Sequence, residues 1–302
     1  MHLHQSRSGW VVQAPAKLNL FFEVLAKRDD GYHEIETLVY PIRWYDTLFF
    51  RKDASGQIKL RSERVSGVWG PKGSGLGEVP SGAENLAVRA AELLRRRGGV
   101  SDGAVMRLVK RIPSAAGLGG GSSDAAAALA AANAAWGLGW SSARLGALAA
   151  ELGSDVPSFF ARGPAVCRGR GEQVEPVGGL GMLHFVVVRP PVGLSTARVY
   201  RACRPATQAR RMAPLLEALV RGDLSAAGRL LFNRLELAAK ELSPWIHRLE
   251  SEFGRMDCLG RQMTGSGSCY FGLCRHARHA RRVAQRLQAQ GIGVAFPVRG
   301  SR

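Results

Sequence analysis

The sequence predicts an α+β chain of two domains, and three features carry that reading. The first fifty residues are patterned as strands, and the middle joins a strand to a glycine loop and a long alanine-rich stretch. The second half is rich in helical patterns and closes on a strand, turn, strand, helix, strand tail. With 302 residues and 46% hydrophobic content the chain can bury two cores, and the boundary is placed near Val177, giving domains 1–177 and 178–302.

Residues 10–13, 18–25, 34–41 and 47–51 are rich in aromatic and branched side chains and read as strands. SGVWGPKGSGLGEVPSG, 66–82, has no periodicity and reads as a surface loop. A helix is expected from Asn85 to about Arg97, a strand over 104–110, and an alanine-rich helix ending near Gly137. A further helix starts near Ser141 and ends at LGSDVP, and GRGEQVEPV signals a hairpin. A strand over 183–189 precedes several helices between Thr196 and Phe253. In the tail, RQMTGSGSCYFGL reads as two strands around a glycine turn, followed by a helix over 275–290 and the strand VAFPVR.

Composition narrows the function classes. No apolar run approaches the roughly 20 residues of a membrane span, and MHLHQSRSGW lacks the apolar centre of a signal peptide, so no membrane partner and a cytoplasmic location are expected. Cys167, Cys203, Cys258, Cys269 and Cys274 form an odd set without a CxxC pair, which argues against a disulfide framework and a structural zinc site. The net charge of +18 would attract any polyanion, yet the basic residues are dispersed and none of their clusters is interleaved with aromatic rings. No nucleic-acid partner is expected.

RIPSAAGLGGGSSDAAAAL, 111–129, puts Gly117, Gly119, Gly120 and Gly121 into five positions. The P-loop fails for want of a Gly-Lys pair, and Ser122 stands where a GxGxxG spacing needs its third glycine. Protein-kinase signatures are absent too. What remains is a strand, a glycine loop and a helix whose first turn is capped by Ser122, Ser123 and Asp124. Glycines at positive φ can turn several N–H groups toward one point, and the helix dipole adds to them, which makes an anion cradle. A flexible joint with a serine cap fits the same residues. Asp124 in the first turn would repel a phosphate, so its side chain is expected to point away.

PSAAGLGGGSSDAAAAL resembles the second signature of the GHMP kinases, named for galactokinase, homoserine kinase, mevalonate kinase and phosphomevalonate kinase. APAKLNLFFEVLAKRDDGYHEIETL, 14–38, resembles their N-terminal signature, and MTGSGSCYFGL, 263–273, their C-terminal glycine signature. The likeness runs from Ala14 to about Phe271. It implies an N-terminal ribosomal-protein-S5-like α/β domain, a C-terminal α+β domain with an antiparallel sheet, and an active cleft between them. PAKLNL, DGYHEIETL, GLGGGSSDAA and LGSDVPSFF together are similar to the branch that uses ATP and Mg²⁺ to phosphorylate the 2-hydroxyl of a cytidine diphosphate-linked methylerythritol, in the non-mevalonate route to isoprenoid precursors.

The resemblance also assigns roles. Asp155, in LGSDVP, becomes the catalytic base, although the residue alone reads as a capping aspartate ahead of Pro157. Lys17, in PAKLNL, becomes the second catalytic group, where a lysine at the start of a strand would otherwise be a solvated edge residue. Asn19 shares the strand face of Lys17 and is expected to contact substrate. Tyr32 and His33 would meet the cytosine, with Tyr200 stacking from the other side and Thr196 close by. Pro113, Ser114, Ala115, Ala116, Gly117, Leu118, Gly119, Gly120, Gly121, Ser122 and Ser123 would surround the ATP phosphates, with Mg²⁺ bridging phosphate oxygens and Ser123 a conceivable neighbour of the ion. Asn85, in AENL, would lie near the adenine. The GSGS turn at 265–268 fits both cleft closure and a plain hairpin turn. The rivals are another GHMP alcohol kinase, of homoserine or mevalonate type, and a non-catalytic basic protein binding nucleic acid. DGYH and the LGSDVP aspartate speak against the first, and the second has no need of Lys17 together with Asp155.

Overall fold

The strands at the start of the chain are longer than the sequence pattern suggests. In the computed structural model, which describes residues 1–65, 79, 80, 82–205 and 207–301, β1 (His2–Ser6) leads into β2 (Gly9–Lys27) and β3 (His33–Asp53). The four strands expected between residues 10 and 51 are thus two, joined in one long antiparallel hairpin. Its register shifts between Pro15 and Ala16, Asn19 and Phe21, and Val24 and Ala26, where the ladder twists and side chains are re-aimed. Leu18, Leu20 and Phe21 are all buried, so no simple alternation survives across the middle of β2.

β4 (Ile58–Arg64) runs parallel to β5 (Gly103–Lys110), which pairs with the second half of β3. The expected loop at 66–82 lies outside the described residues apart from 79, 80 and 82. Between these strands comes α1 (Leu86–Arg97), with Asn85 as its N-cap rather than its first residue. After β5 follow α2 (Gly120–Ala135), α3 (Ser142–Ala149), a 3₁₀ turn at Pro157–Phe160, β6 (Ala165–Gly169) and β7 (Gln173–Pro176). β6 pairs with the first half of β3, which β5 leaves free.

α2 packs on α1, β2 and β3. Ala125 to Ala128, Leu129, Ala131 and Ala132 have no solvent exposure, so the helix is apolar on all sides and lies inside the protein. Its methyl side chains let neighbouring backbones come close. Such a helix is rigidly placed, and so is its N-terminus.

The second half adds β8 (His184–Arg189), α4 (Thr196–Ala202), α5 (Ala213–Val220), α6 (Leu224–Leu230), β9 (Phe232–Asn233), α7 (Leu235–Leu242), α8 (Pro244–Gly254), β10 (Gly260–Met263), β11 (Tyr270–Cys274), α9 (Ala277–Ala289) and β12 (Val294–Arg299). A four-stranded antiparallel sheet forms in the order β10-β11-β8-β12. The chain leaves the first sheet after Pro176 and enters the second at His184, while β9 returns to pair in parallel with β2 at Phe21 and Phe22. One apolar cluster joins the sheets through Leu18, Phe21, Tyr40, Phe185 and Phe271, and another lies between the second sheet and its helices through Val188, Leu249, Phe253 and Val283. All five cysteines are free thiols.

Candidate active site

Lys17 sits in the middle of β2 and is only 3% exposed, so it is not the edge residue that its sequence neighbours suggest. A buried ammonium must be paired and hydrogen-bonded, or its desolvation would be prohibitive. Its Nζ donates to Asn19 Oδ1 at 2.5 Å and lies 3.4 Å from Asp155 Oδ2. Asn19 is held in turn, its Nδ2 donating to Thr37 Oγ1 at 2.8 Å and its backbone N–H to Thr264 Oγ1 at 3.1 Å. Asp155 precedes the 3₁₀ turn, and its backbone carbonyl accepts from Ser158 Oγ at 2.7 Å. Its side chain is 39% exposed, so one partner of the ion pair is buried and the other reaches solvent.

The glycine loop lies against this pair. Lys17 N–H donates to the Leu118 carbonyl at 3.0 Å, Thr264 Oγ1 donates to the Gly117 carbonyl at 3.2 Å, and Cys269 N–H donates to the Ala116 carbonyl at 3.1 Å. Three successive carbonyls are thereby tied to both sheets, which rules out a loose joint. Gly117 and Gly119 both have left-handed φ, +73° and +68°. A Cβ on Gly119 would come within 3.0 Å of the Lys17 side chain and 3.1 Å of the Phe159 ring.

One expectation needs correction here. Gly119, not a serine, is the N-cap of α2, and no side chain bonds to this end of the helix; Ser122 and Ser123 lie inside the first turn. The left-handed φ at Gly119 explains the difference, because the chain enters the helix without needing a hydroxyl cap. Among the described residues the helix end is left without a side-chain partner for its first N–H groups, which with the positive dipole suits an anion. Ser123 is fully buried, with its Oγ unpartnered among the described residues. Asp124 does turn away: it is buried beneath the first turn and accepts from Lys110 Nζ at 2.6 Å.

Lys110 also pairs with Asp46, whose other oxygen accepts from the N–H groups of Arg111 and Ile112. Sequence reasoning missed this buried triad of one cation and two carboxylates, because its members lie 64 and 14 residues apart in the chain. Burial disfavours the Lys110 charge, but the two carboxylates outweigh burial and raise its pKa. Asp124 is pushed up to about 8 by burial and by the Asp46 charge, against the pull of Lys110. Between the unfolded value near 3.9 and about 8 the folded chain holds a proton that the unfolded chain has released, so this group's contribution to stability is lost as pH rises through that window. Asp124→Asn therefore removes one downward contribution to the melting temperature between pH 4 and 8, making its slope against pH less negative or more positive than in wild type; an unchanged slope in calorimetry would contradict the assignment.

The substrate-side residues gather in part. His33 and Tyr200 meet with ring centroids 5.2 Å apart and planes tilted by 40°. The Tyr200 hydroxyl is held well above its ordinary pKa by burial and by the Asp155 charge, so the phenol stays neutral near the Lys17–Asp155 pair. Burial and then Lys27 lower the pKa of His33, which favours the neutral imidazole with one donor and one acceptor nitrogen. Tyr32 is 51% exposed, and the Arg170 guanidinium lies 4.7 Å from its ring centroid. Thr196 Oγ1 meets Ser266 Oγ at 2.8 Å, which ties α4 to the glycine turn between β10 and β11. That turn does more than join two strands, since a Cβ on Gly265 would lie 3.3 Å from Lys17 Nζ and from Asn19 Oδ1. Asn85 stands apart, as its Oδ1 accepts from Ala87 N–H and its Nδ2 donates to the Pro80 carbonyl, so both ends of the amide serve the start of α1.

Thr264, Gln262 and Asn233 were not legible as site residues. Gln262 Nε2 donates to the Asn19 carbonyl at 2.7 Å, and Asn233 Nδ2 donates to the carbonyls of Met263 and Gly265 at 2.8 Å each. Of the three, Thr264 alone had a signal, its place inside MTGSGS.

The arrangement is a helix end without a side-chain cap beside a lysine–aspartate pair and between two sheets. The family models described as "GHMP kinases N terminal domain" and "GHMP kinases C terminal" match residues 85–163 and 215–293, more than half of the chain, so the fold is that of a GHMP kinase, an ATP-dependent small-molecule kinase. The 4-diphosphocytidyl-2-C-methyl-D-erythritol kinase of Pelotomaculum thermopropionicum is 44% identical over 91% of this chain and 92% of its own, and that of Symbiobacterium thermophilum 40% identical over 92% and 95%. A crystal structure of 4-(cytidine 5'-diphospho)-2C-methyl-D-erythritol kinase superposes with a TM-score of 0.78 at 37% identity, covering 97% of this chain and 100% of that one. This chain belongs to the 4-diphosphocytidyl-2-C-methyl-D-erythritol kinase family. Homoserine kinase from Cytophaga hutchinsonii, at 19% identity and a TM-score of 0.75, shares the fold. Among the described residues no helix is long and apolar enough to cross a membrane.

Proposed function

We infer that this chain transfers the γ-phosphoryl group of ATP to the 2-hydroxyl of 4-diphosphocytidyl-2-C-methyl-D-erythritol, supplying the non-mevalonate route to isoprenoid precursors. The observation that carries the inference is the Lys17–Asp155 contact at 3.4 Å, beside a glycine loop whose carbonyls are tied back and whose helix end is open.

In this reading the ATP phosphates lie on the N–H groups at the start of α2, with residues 113 to 123 shaping the cradle. Asp155 accepts the proton of the attacking hydroxyl, and Lys17, 3.4 Å from that carboxylate, offsets charge developing on the transferred group. Positioning does the rest, since phosphoryl transfer asks for little covalent chemistry from the protein. Asn19 orients Lys17 and contacts the acceptor. Mg²⁺, brought in on the phosphates, would neutralise their charge. The described residues contain no group of three or more His, Cys, Asp or Glu able to hold an ion, so most of its ligands would be phosphate oxygens and water, with the unpartnered Ser123 hydroxyl as the protein oxygen on offer.

His33, Tyr200 and Tyr32 would take the cytosine, the neutral imidazole reading its edge and the phenol rings its faces, with Thr196 steadying α4. Asn85 would set the start of α1 on the adenine side through its capping bonds. Residues 1–177 would then hold the phosphates and the catalytic pair, and residues 178–302 would close the cleft through the 265–268 turn and Tyr200. Base stacking on an aromatic ring is worth about 1–3 kcal/mol, so Tyr200→Ala should raise KM for the cytidine-linked acceptor roughly tenfold or more with KM for ATP little changed. Steady-state kinetics check this, and equal effects on both substrates would contradict it.

The function is tested by offering Mg-ATP with the cytidine-linked acceptor, homoserine and mevalonate in turn and measuring ADP release. Release with the first alone supports the reading; release with either of the others in its place would assign the chain to another GHMP kinase.

A further inference from the structure

A cavity of about 530 Å³ lies beside the site just described; Lys17, Asp155 and the glycine loop do not line it, whereas Ser158 and Phe159, which touch them, do. Its walls come from β1, β2, β3, α2, α3 and the 3₁₀ turn after Asp155. They are mostly apolar, including Leu3, Val39, Trp140, Leu145, Phe159 and Phe160, and carry no acidic side chain. Arg162 carries the one cationic side chain among them, is exposed, and forms no ion pair among the described residues. A volume of this size, apolar walls and few polar groups are what small-molecule sites share.

We propose that this cavity binds a small amphiphile with an aromatic or aliphatic body and one anionic group, the body lying among Trp140, Leu145 and Phe159 and the anion facing Arg162. The charge complement excludes cationic ligands, because Arg162 has no carboxylate beside it in the wall. The cavity also shares walls with the catalytic pair. Pro15 lies two residues before Lys17 on β2, Ser158 Oγ holds the Asp155 carbonyl at 2.7 Å, and Phe159 reaches within 3.1 Å of where a Cβ on Gly119 would stand. A ligand wedged against Ser158 and Phe159 presses on the turn that aims Asp155 and so slows turnover without entering either substrate site. Binding does not depend on the kinase assignment, whereas the effect on turnover does.

The test uses 8-anilinonaphthalene-1-sulfonate, an aromatic sulfonate of the required chemistry, with the full chain. Expected are saturable binding at one site per chain with blue-shifted emission, and a fall in kcat of about fivefold at unchanged KM for ATP and for the acceptor. Ser142 and Arg162 are exposed wall residues, so their variants do not disturb the core. Ser142→Phe, which puts a bulky ring on an exposed wall position, should abolish binding, and Arg162→Ala should weaken it roughly fivefold. Both should keep the wild-type melting temperature and, without the probe, the wild-type kcat. Binding indifferent to both variants, or competitive with either substrate, would overturn the proposal. So would sedimentation showing a wild-type dimer that Ser142→Phe converts to monomer, since a second copy of the chain would then be the occupant. Binding as expected with kcat unmoved would overturn the link to Asp155.

Discussion

Asp155→Asn lowers kcat by about a thousandfold, within the range that a positioned general base contributes. Asparagine keeps the volume of the side chain and its contact with Lys17 but cannot accept the hydroxyl proton. Because Asp155 is the carboxylate paired with the buried Lys17 ammonium, the variant should also lose some melting temperature, so kcat is compared at a temperature where both proteins are folded. KM for ATP should also hold, since the phosphates are expected on the start of α2. A variant retaining near-normal turnover would remove Asp155 as the base while leaving family membership untouched.

Gly117→Ala has the largest expected structural effect. A Cβ there would stand 2.0 Å from the Thr264 carbonyl oxygen and 3.2 Å from Gly267 N, both backbone atoms of the facing turn, and φ of +73° adds strain for any side chain. Neither partner can rotate aside, so the loop and the turn must part, breaking the Thr264 to Gly117 bond that ties the two sheets at the site. We expect a loss of about 2–4 kcal/mol in denaturant unfolding and at least a hundredfold loss of kcat/KM, because a misplacement near 1 Å suffices for that. Gly121→Ala is the control: its Cβ would meet only Leu86 Cδ1 at 3.8 Å, and stability should be unchanged. Equal destabilisation by both would show that glycine flexibility, rather than close approach, matters here.

Much of this was legible in the sequence because the relevant signals are local. The glycines at 117 and 119 mark positive φ, the alanine run marks a helix buried on all sides, and strand, loop and helix follow one another within thirty residues. What escaped was long-range or shaped by burial. β1 and β4, reading HLHQS and IKLRSER, carry too few apolar residues to signal strands and are specified by their pairing with β2 and β5. The period of β2 is blurred by its register shifts and by burial of successive side chains, which also hid Lys17 as a mid-strand cation. The serines after the glycines look like caps until the left-handed Gly119 is seen. No local pattern could place Thr264 on Gly117 across 147 residues, nor Asp46 and Asp124 on Lys110.

The most direct measurement is ³¹P NMR of the product formed from Mg-ATP and 4-diphosphocytidyl-2-C-methyl-D-erythritol. A new phosphomonoester resonance on the C2 oxygen, appearing in step with ADP and absent with Asp155→Asn, is the predicted result. Loss of the ATP γ-phosphate to inorganic phosphate alone, or a phosphoester at another hydroxyl, would contradict the account.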